Sequence, residues 1–130
     1  MKRILFLCAF FAIAQLSYAA RPGGASQPTS EVYAIASDGT PLTWTVYAPS
    51  GTGPWPAVLV IHGGFFIAGD SEDAGVIGCA QDLANADFIA FAIEYRLAPP
   101  GSIPGQTSSG QFPDQYDDVH LAVQAAQRCA

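Results

Sequence analysis

Residues 57–70 read A-V-L-V-I-H-G-G-F-F-I-A-G-D, and the reading of this stretch decides the fold. Its first five residues are a continuous apolar run rich in β-branched side chains, the pattern of a buried strand central to a sheet. The run stops at His62, where Gly63 and Gly64 let the backbone turn sharply and come close to a ligand. Backbone N–H groups left unpaired in such a turn form a donor pocket for an oxygen carrying negative charge. Beyond the turn, Asp70-Ser71-Glu72-Asp73 supplies acidic residues for a helix N-terminus, with Ser71 read as a capping residue. Val76, Ala80, Leu83 and Ala84 then recur at helical spacing, and residues 88–94 make a second apolar run. Strand, helix and strand within this length constitute a βαβ unit.

Working back from the central run, residues 48–56 hold three prolines and two glycines and read as a loop. Before them, residues 31–36 and 42–47 form two strands around Asp38-Gly39, a hairpin signal. Leu42, Trp44 and Val46 share one face of the second strand, and Thr43, Thr45 and Tyr47 share the other. Working forward, Phe112-Pro113-Asp114 opens a last helix whose apolar stripe is read as Tyr116, Val119, Val123 and Ala126. Asp114, Asp117 and Asp118 sit near its positive end and Arg128 near its negative end, as the helix dipole favours.

The N-terminus reads differently. Lys2 and Arg3 precede an apolar run over residues 4–14, and Ser17-Tyr18-Ala19 offers small residues at a cleavage site. This is the layout of a secretory signal peptide cut after Ala19, and its apolar run is short for a bilayer span. The expected organisation is therefore a signal peptide at 1–19, a flexible Pro/Gly/Ser-rich leader at 20–30, and a partial α/β domain at 31–130. The product would be secreted or periplasmic, with no membrane span after cleavage. Cys8 would leave with the signal; Cys79 and Cys129 remain, and the unpaired reading is slightly favoured over a disulfide. Five basic residues against eleven acidic ones give a net charge of −6, with no Lys/Arg stripe to neutralise phosphates, so nucleic acid is not an expected partner.

Three blocks carry a resemblance: H-G-G-F-F-I-A-G-D at 62–70, E-Y-R-L-A-P at 94–99 and Q-F-P-D-Q-Y-D-D-V at 111–119. In this order, on these elements, the chain resembles the N-terminal portion of α/β-hydrolases of the hormone-sensitive-lipase type, the H-G-G-G-F/W esterases and lipases. The resemblance implies a mostly parallel sheet with helices on both faces, stopping short of the nucleophile strand. It implies an oxyanion hole at Gly63, Gly64 and Phe65, with His62 and Gly69 supporting the loop. Phe65 stands where relatives often carry a third glycine, and the segment 100–111 is longer than the usual link. The implied chemistry is hydrolysis of a small uncharged ester through a serine acyl-enzyme.

No G-x-S-x-G occurs in the sequence; residues 69–73 come nearest but lack the closing glycine. The triad serine, acid and histidine would lie beyond residue 130, so the chain alone is expected to be inactive. The resemblance also implies a strand order in which 57–61 lies between 88–94 and the nucleophile strand. The run 57–61 is therefore expected to be left as an open apolar edge through which the chain self-associates. His120 lies mid-helix among acids and is read as a surface residue rather than a triad base. Asp117 and Asp118 are adjacent on a helix, point in different directions and are read as structural rather than as a paired acid and base. Two distant histidines and two distant cysteines give no metal-ligand spacing, and no cofactor is expected. A secreted, non-catalytic binding protein with a hydrolase-like pocket is the alternative that the sequence leaves open.

Overall fold

The computed structural model describes residues 25–98 and 110–129. The signal peptide at 1–19, Cys8, the first residues of the leader and most of the segment 100–111 lie outside them. Six elements follow in chain order: β1 (Thr29–Ile35), β2 (Pro41–Tyr47), β3 (Ala57–Ile61), α1 (Ala74–Asn85), β4 (Ile89–Ile93) and α2 (Asp114–Cys129). The four strands form one sheet in the order β1-β2-β4-β3. This is the N-terminal part of an α/β-hydrolase fold, with the hairpin, the βαβ unit and the closing helix where the sequence reading put them.

The hairpin turns at Gly39, whose φ of 89° favours a residue without Cβ. The Asp38 carboxylate accepts the Thr40 N–H at 2.9 Å inside the turn. That bond is the main reason the Asp38 carboxyl titrates below its ordinary range. β1 pairs antiparallel with β2 and β2 antiparallel with β4; only β3 and β4, joined by a helical crossover, are parallel. In the described region the sheet is thus mixed rather than mostly parallel, because the hairpin contributes antiparallel strands and a single crossover supplies one parallel pair.

The position of β3 agrees with the strand order that the resemblance implies: it pairs with β4 on one side only and stands at the edge of the sheet among the described residues. It is less buried than its apolar run suggests. Only Val60 of β3 is buried, whereas four of the five β4 residues are.

Period-2 alternation in β2 and β4 builds two cores, one on each face of the sheet. Leu42, Trp44, Phe91 and Ile93 face α2 and pack with Tyr33, Ala122, Ala125 and Ala126. Tyr47, Val60, Ala90 and Ala92 face α1 and meet Ala80 and Ala84. Alanine meets alanine across that second interface, so the helix backbone can approach the sheet closely. The Trp44 ring stands 5.2 Å from Tyr33 and 4.3 Å from Phe91, centroid to centroid, tilted against both.

Two helix readings are corrected. The residue at the start of α1 is Asp73, which makes no side-chain capping bond, while Ser71 is buried two residues earlier. The buried residues of α2 are Gln115, Asp118, Ala122, Ala125 and Ala126; Tyr116 and Val123 are exposed. Of the stripe read from the sequence, Ala126 is buried and Val119 packs against the core, while Tyr116 and Val123 are displaced by Gln115 and Asp118, which a hydrophobicity pattern does not expect inside. Cys79 and Cys129 are both free and exposed, in line with the unpaired reading. No helix among the described residues is long and apolar enough to cross a membrane.

Candidate functional site

Beyond β3 the chain makes a tight loop over residues 62–71. Gly64, Phe65 and Phe66 have φ values of 114°, 56° and 65°, three successive residues in the left-handed region. The Gly64 carbonyl accepts the N–H groups of Ile67 (3.0 Å) and Ala68 (3.1 Å), which closes the loop. A Cβ on Gly64 would overlap the Ala68 carbonyl, so this position requires glycine. Phe65 and Phe66 hold a conformation costing roughly 1–2 kcal/mol each for an L-residue, and such strain persists where surrounding structure enforces it. The Phe65 side chain is 92% exposed and contributes little packing in return. Among the described residues, no hydrogen bond engages the N–H groups of Gly63, Gly64 or Phe65.

His62 anchors this loop. Its side chain is fully buried and stacks on Tyr95 with centroids 4.3 Å apart and planes 9° from parallel. His62 Nδ1 lies 2.8 Å from the Gly63 carbonyl, an acceptor, so the hydrogen sits on Nδ1 and Nε2 is left bare. Nε2 has no hydrogen-bond partner and faces Glu94 Oε2 at 3.7 Å; a second proton on the ring would turn this approach into an ion pair. Gly69 packs over the same ring, where a Cβ would sit 2.7 Å from Nδ1 and would also strike the Gly63 carbonyl. The structure therefore brings His62, Gly63, Gly64, Phe65 and Gly69 together in one loop.

The residues that hold this loop from outside carry no role in the sequence reading. Glu94, just past β4, accepts the Ser71 N–H through Oε1 at 2.5 Å. The Tyr95 hydroxyl donates to the His62 carbonyl at 3.2 Å, and burial pushes its pKa above the usual tyrosine value. The Ala98 N–H donates to the Phe66 carbonyl at 2.7 Å. These residues belong to the E-Y-R-L-A-P block, and the block itself was the available signal.

Arg96 and Asp118 fix that block in turn. The Asp118 side chain, 0% exposed, accepts Arg96 Nη2 at 2.7 Å, Arg96 Nε at 2.9 Å and the Arg96 backbone N–H at 2.9 Å. Asp38 in the hairpin turn and Asp114 at the start of α2 approach Arg96 Nη1 at 3.3 and 3.5 Å. Hydrogen bonding to Asp118 holds the guanidinium pKa above its already high value. The Tyr33 hydroxyl donates to the Glu94 carbonyl at 2.7 Å, and burial raises its pKa so that it keeps that proton. The structural reading of Asp118 stands: it is a buried anchor with no open cleft before it. His120 is exposed on α2, its ring 6.2 Å from that of Tyr116, and is not part of the loop cluster.

A cavity of about 670 Å³ opens beside the loop, lined by Ile61, His62, Phe66, Tyr95, Phe112 and Tyr116 among others. Its walls are almost wholly apolar and aromatic, and its size suits a small-molecule group. Tyr116, which the apolar stripe assigned to the core, faces this space.

Comparison with known proteins agrees with this geometry. The BD-FAE family model matches residues 45–126, which includes all three blocks. Esterase LipI of Mycobacterium tuberculosis is 38% identical over 66 residues, covering 51% of this chain and 20% of that protein. Probable carboxylesterase 11 of Arabidopsis thaliana is 33% identical over 69 residues, covering 49% of this chain and 15% of that protein. Among solved structures, the esterase of Pyrobaculum calidifontis superposes with a TM-score of 0.60 at 26% identity, over 75% of this chain and 28% of that one. The carboxylesterase EstE1, cloned from a metagenomic library, gives 0.61 at 26%, over 85% and 35%. The chain thus spans a fifth or less of these curated relatives and about a third of the solved ones.

Proposed function

The chain belongs to the BD-FAE family, and from that premise we propose that it is the N-terminal part of a secreted serine carboxylic-ester hydrolase and supplies the oxyanion hole. One observation carries this reading: the N–H groups of Gly63, Gly64 and Phe65 are unengaged on a left-handed loop at the C-terminal end of a strand. Donors fixed in advance around a developing oxyanion stabilise the transition state without reorganising during the reaction. The apolar cavity beside them favours a small uncharged ester over a charged substrate. The nucleophile would come from a G-x-S-x-G turn on a further strand and attack the carbonyl carbon while its oxygen rests on these N–H groups.

The test uses two forms. The 130-residue chain alone should not turn over short p-nitrophenyl esters, whereas a longer product carrying an in-frame G-x-S-x-G should. In the longer form Gly64→Ala, whose Cβ displaces the loop, should lower kcat roughly 100- to 1,000-fold. Turnover by the short chain that titrates with a serine-directed phosphonate would overturn the proposal. So would an unimpaired Gly64→Ala.

Export rests on the N-terminal pattern. The charged Lys2-Arg3, the apolar run and Ser17-Tyr18-Ala19 place cleavage after Ala19, so N-terminal sequencing of exported protein should begin at Ala20. An exported form that retains Met1 would count against it.

A further inference from the structure

We infer that Glu94 is the positioning residue of the glycine loop, dividing its two oxygens between the loop's two ends. Oε1 accepts the N–H of Ser71 at the far end, at 2.5 Å. Oε2 lies 3.7 Å from the bare Nε2 of His62 at the near end. Residues 63–70, with three successive left-handed residues, span the gap between these two points. A strained loop persists only where its surroundings over-determine it, and this carboxylate bonds the far end through Oε1 while Oε2 packs against the His62 ring at the near end. Glu94 is itself fixed from behind, since its backbone carbonyl accepts the Tyr33 hydroxyl and its N–H donates to the Thr43 carbonyl at 2.8 Å. The groups facing His62 from the packed elements are Glu94 and the Tyr95 ring after β4. On the cavity side they are the uncharged Phe66, Gln115 and Tyr116. Glu94 is thus the one carboxylate in contact with the imidazole among the described residues.

The inference deepens the oxyanion reading and takes its functional meaning from it, but its test reads loop order rather than turnover, so the two can fail separately. Hydrogen exchange with mass spectrometry on the chain would compare wild type, Glu94→Ala and Glu94→Gln in peptides covering 62–73, with peptides of α1 and α2 as internal references. Glu94→Ala leaves the Ser71 N–H without its acceptor and opens space beside the His62 ring, and exchange in 62–73 should rise roughly 10- to 100-fold while the helices hold. Glu94→Gln should restore protection to within about twofold of wild type. Its carbonyl accepts the Ser71 N–H, and its amide donates to the bare His62 Nε2, which a carboxylate cannot do. A residue that merely filled space there would not give this rescue. Unchanged exchange in Glu94→Ala, loss spread equally over α1 and α2, or a Glu94→Gln as loose as the alanine variant would each overturn the inference.

Discussion

Asp118→Ala is expected to remove a large part of the chain's stability and to lower its urea midpoint sharply. The lost side chain is wholly buried and takes three donors from one residue, the backbone N–H, Nε and Nη2 of Arg96. Removing it leaves a guanidinium that is 7% exposed without its bidentate partner. Breaking a buried pair from one side costs about 3–5 kcal/mol, much of it the charge left behind. Domains of this size hold only about 5–15 kcal/mol in total. Asp38 and Asp114 remain near Nη1, but their side chains are 43% and 29% exposed, and water screens them. Asp38→Ala therefore serves as the control and should move the urea midpoint little. Arg96→Met combined with Asp118→Leu should cost far less than the two single changes added together, because no charge is then stranded. Urea unfolding followed by circular dichroism reads all five variants, the two single changes included. A midpoint for Asp118→Ala equal to that of Asp38→Ala would show that the pair is not what ties α2 to the end of β4.

The same pair marks the limit of what the sequence discloses. Strands, hairpin, crossover and both helices are legible because their signals are local: alternation in 42–47, the Asp38-Gly39 turn, the apolar runs at 57–61 and 88–94. The loop was legible too, since His62-Gly63-Gly64 ends a strand and leaves N–H groups without ladder partners. What holds the loop was not, because each brace joins distant residues: Glu94 to Ser71, Tyr95 to His62, Tyr33 to Glu94, Arg96 to Asp118. Asp118 shows the cost. On a hydrophobicity pattern it belongs outside, so the stripe took in the exposed Tyr116 and Val123 instead; only its partner, 22 residues earlier, explains its burial. The place of β3 was legible through the resemblance and not through its own residues. A run of apolar residues shows that a strand prefers to be covered, but not how many neighbours it has, whereas the family's strand order leaves it paired with β4 alone.

The second large effect follows from that place. β3 carries A-V-L-V-I with one hydrogen-bonded neighbour, β4, so among the described residues its other edge presents unpaired N–H and C=O groups. The opposite edge, β1, differs. It bears Glu31 and a register shift between Val32 and Ala34, two devices that discourage pairing with another chain. β3 has no charge, proline or bulge, and Ile61 at its end is 47% exposed beside the open apolar cavity. The chain covers 28% of the Pyrobaculum calidifontis esterase and 35% of EstE1. The chain by itself is therefore expected to self-associate through β3, sedimenting faster as concentration rises. A charge should suppress this, but its position matters. Val60 is buried in the α1-side core and Leu59 packs against the α2-side core, so a charge at either would cost folding as well. Ile61→Lys puts the charge where the side chain already meets water and should return the chain to a monomer with its helical signal intact. Sedimentation velocity on wild type and Ile61→Lys reads the difference. A wild-type chain that stays monomeric across the concentration range would mean that the open edge of β3 is protected by something other than a paired strand.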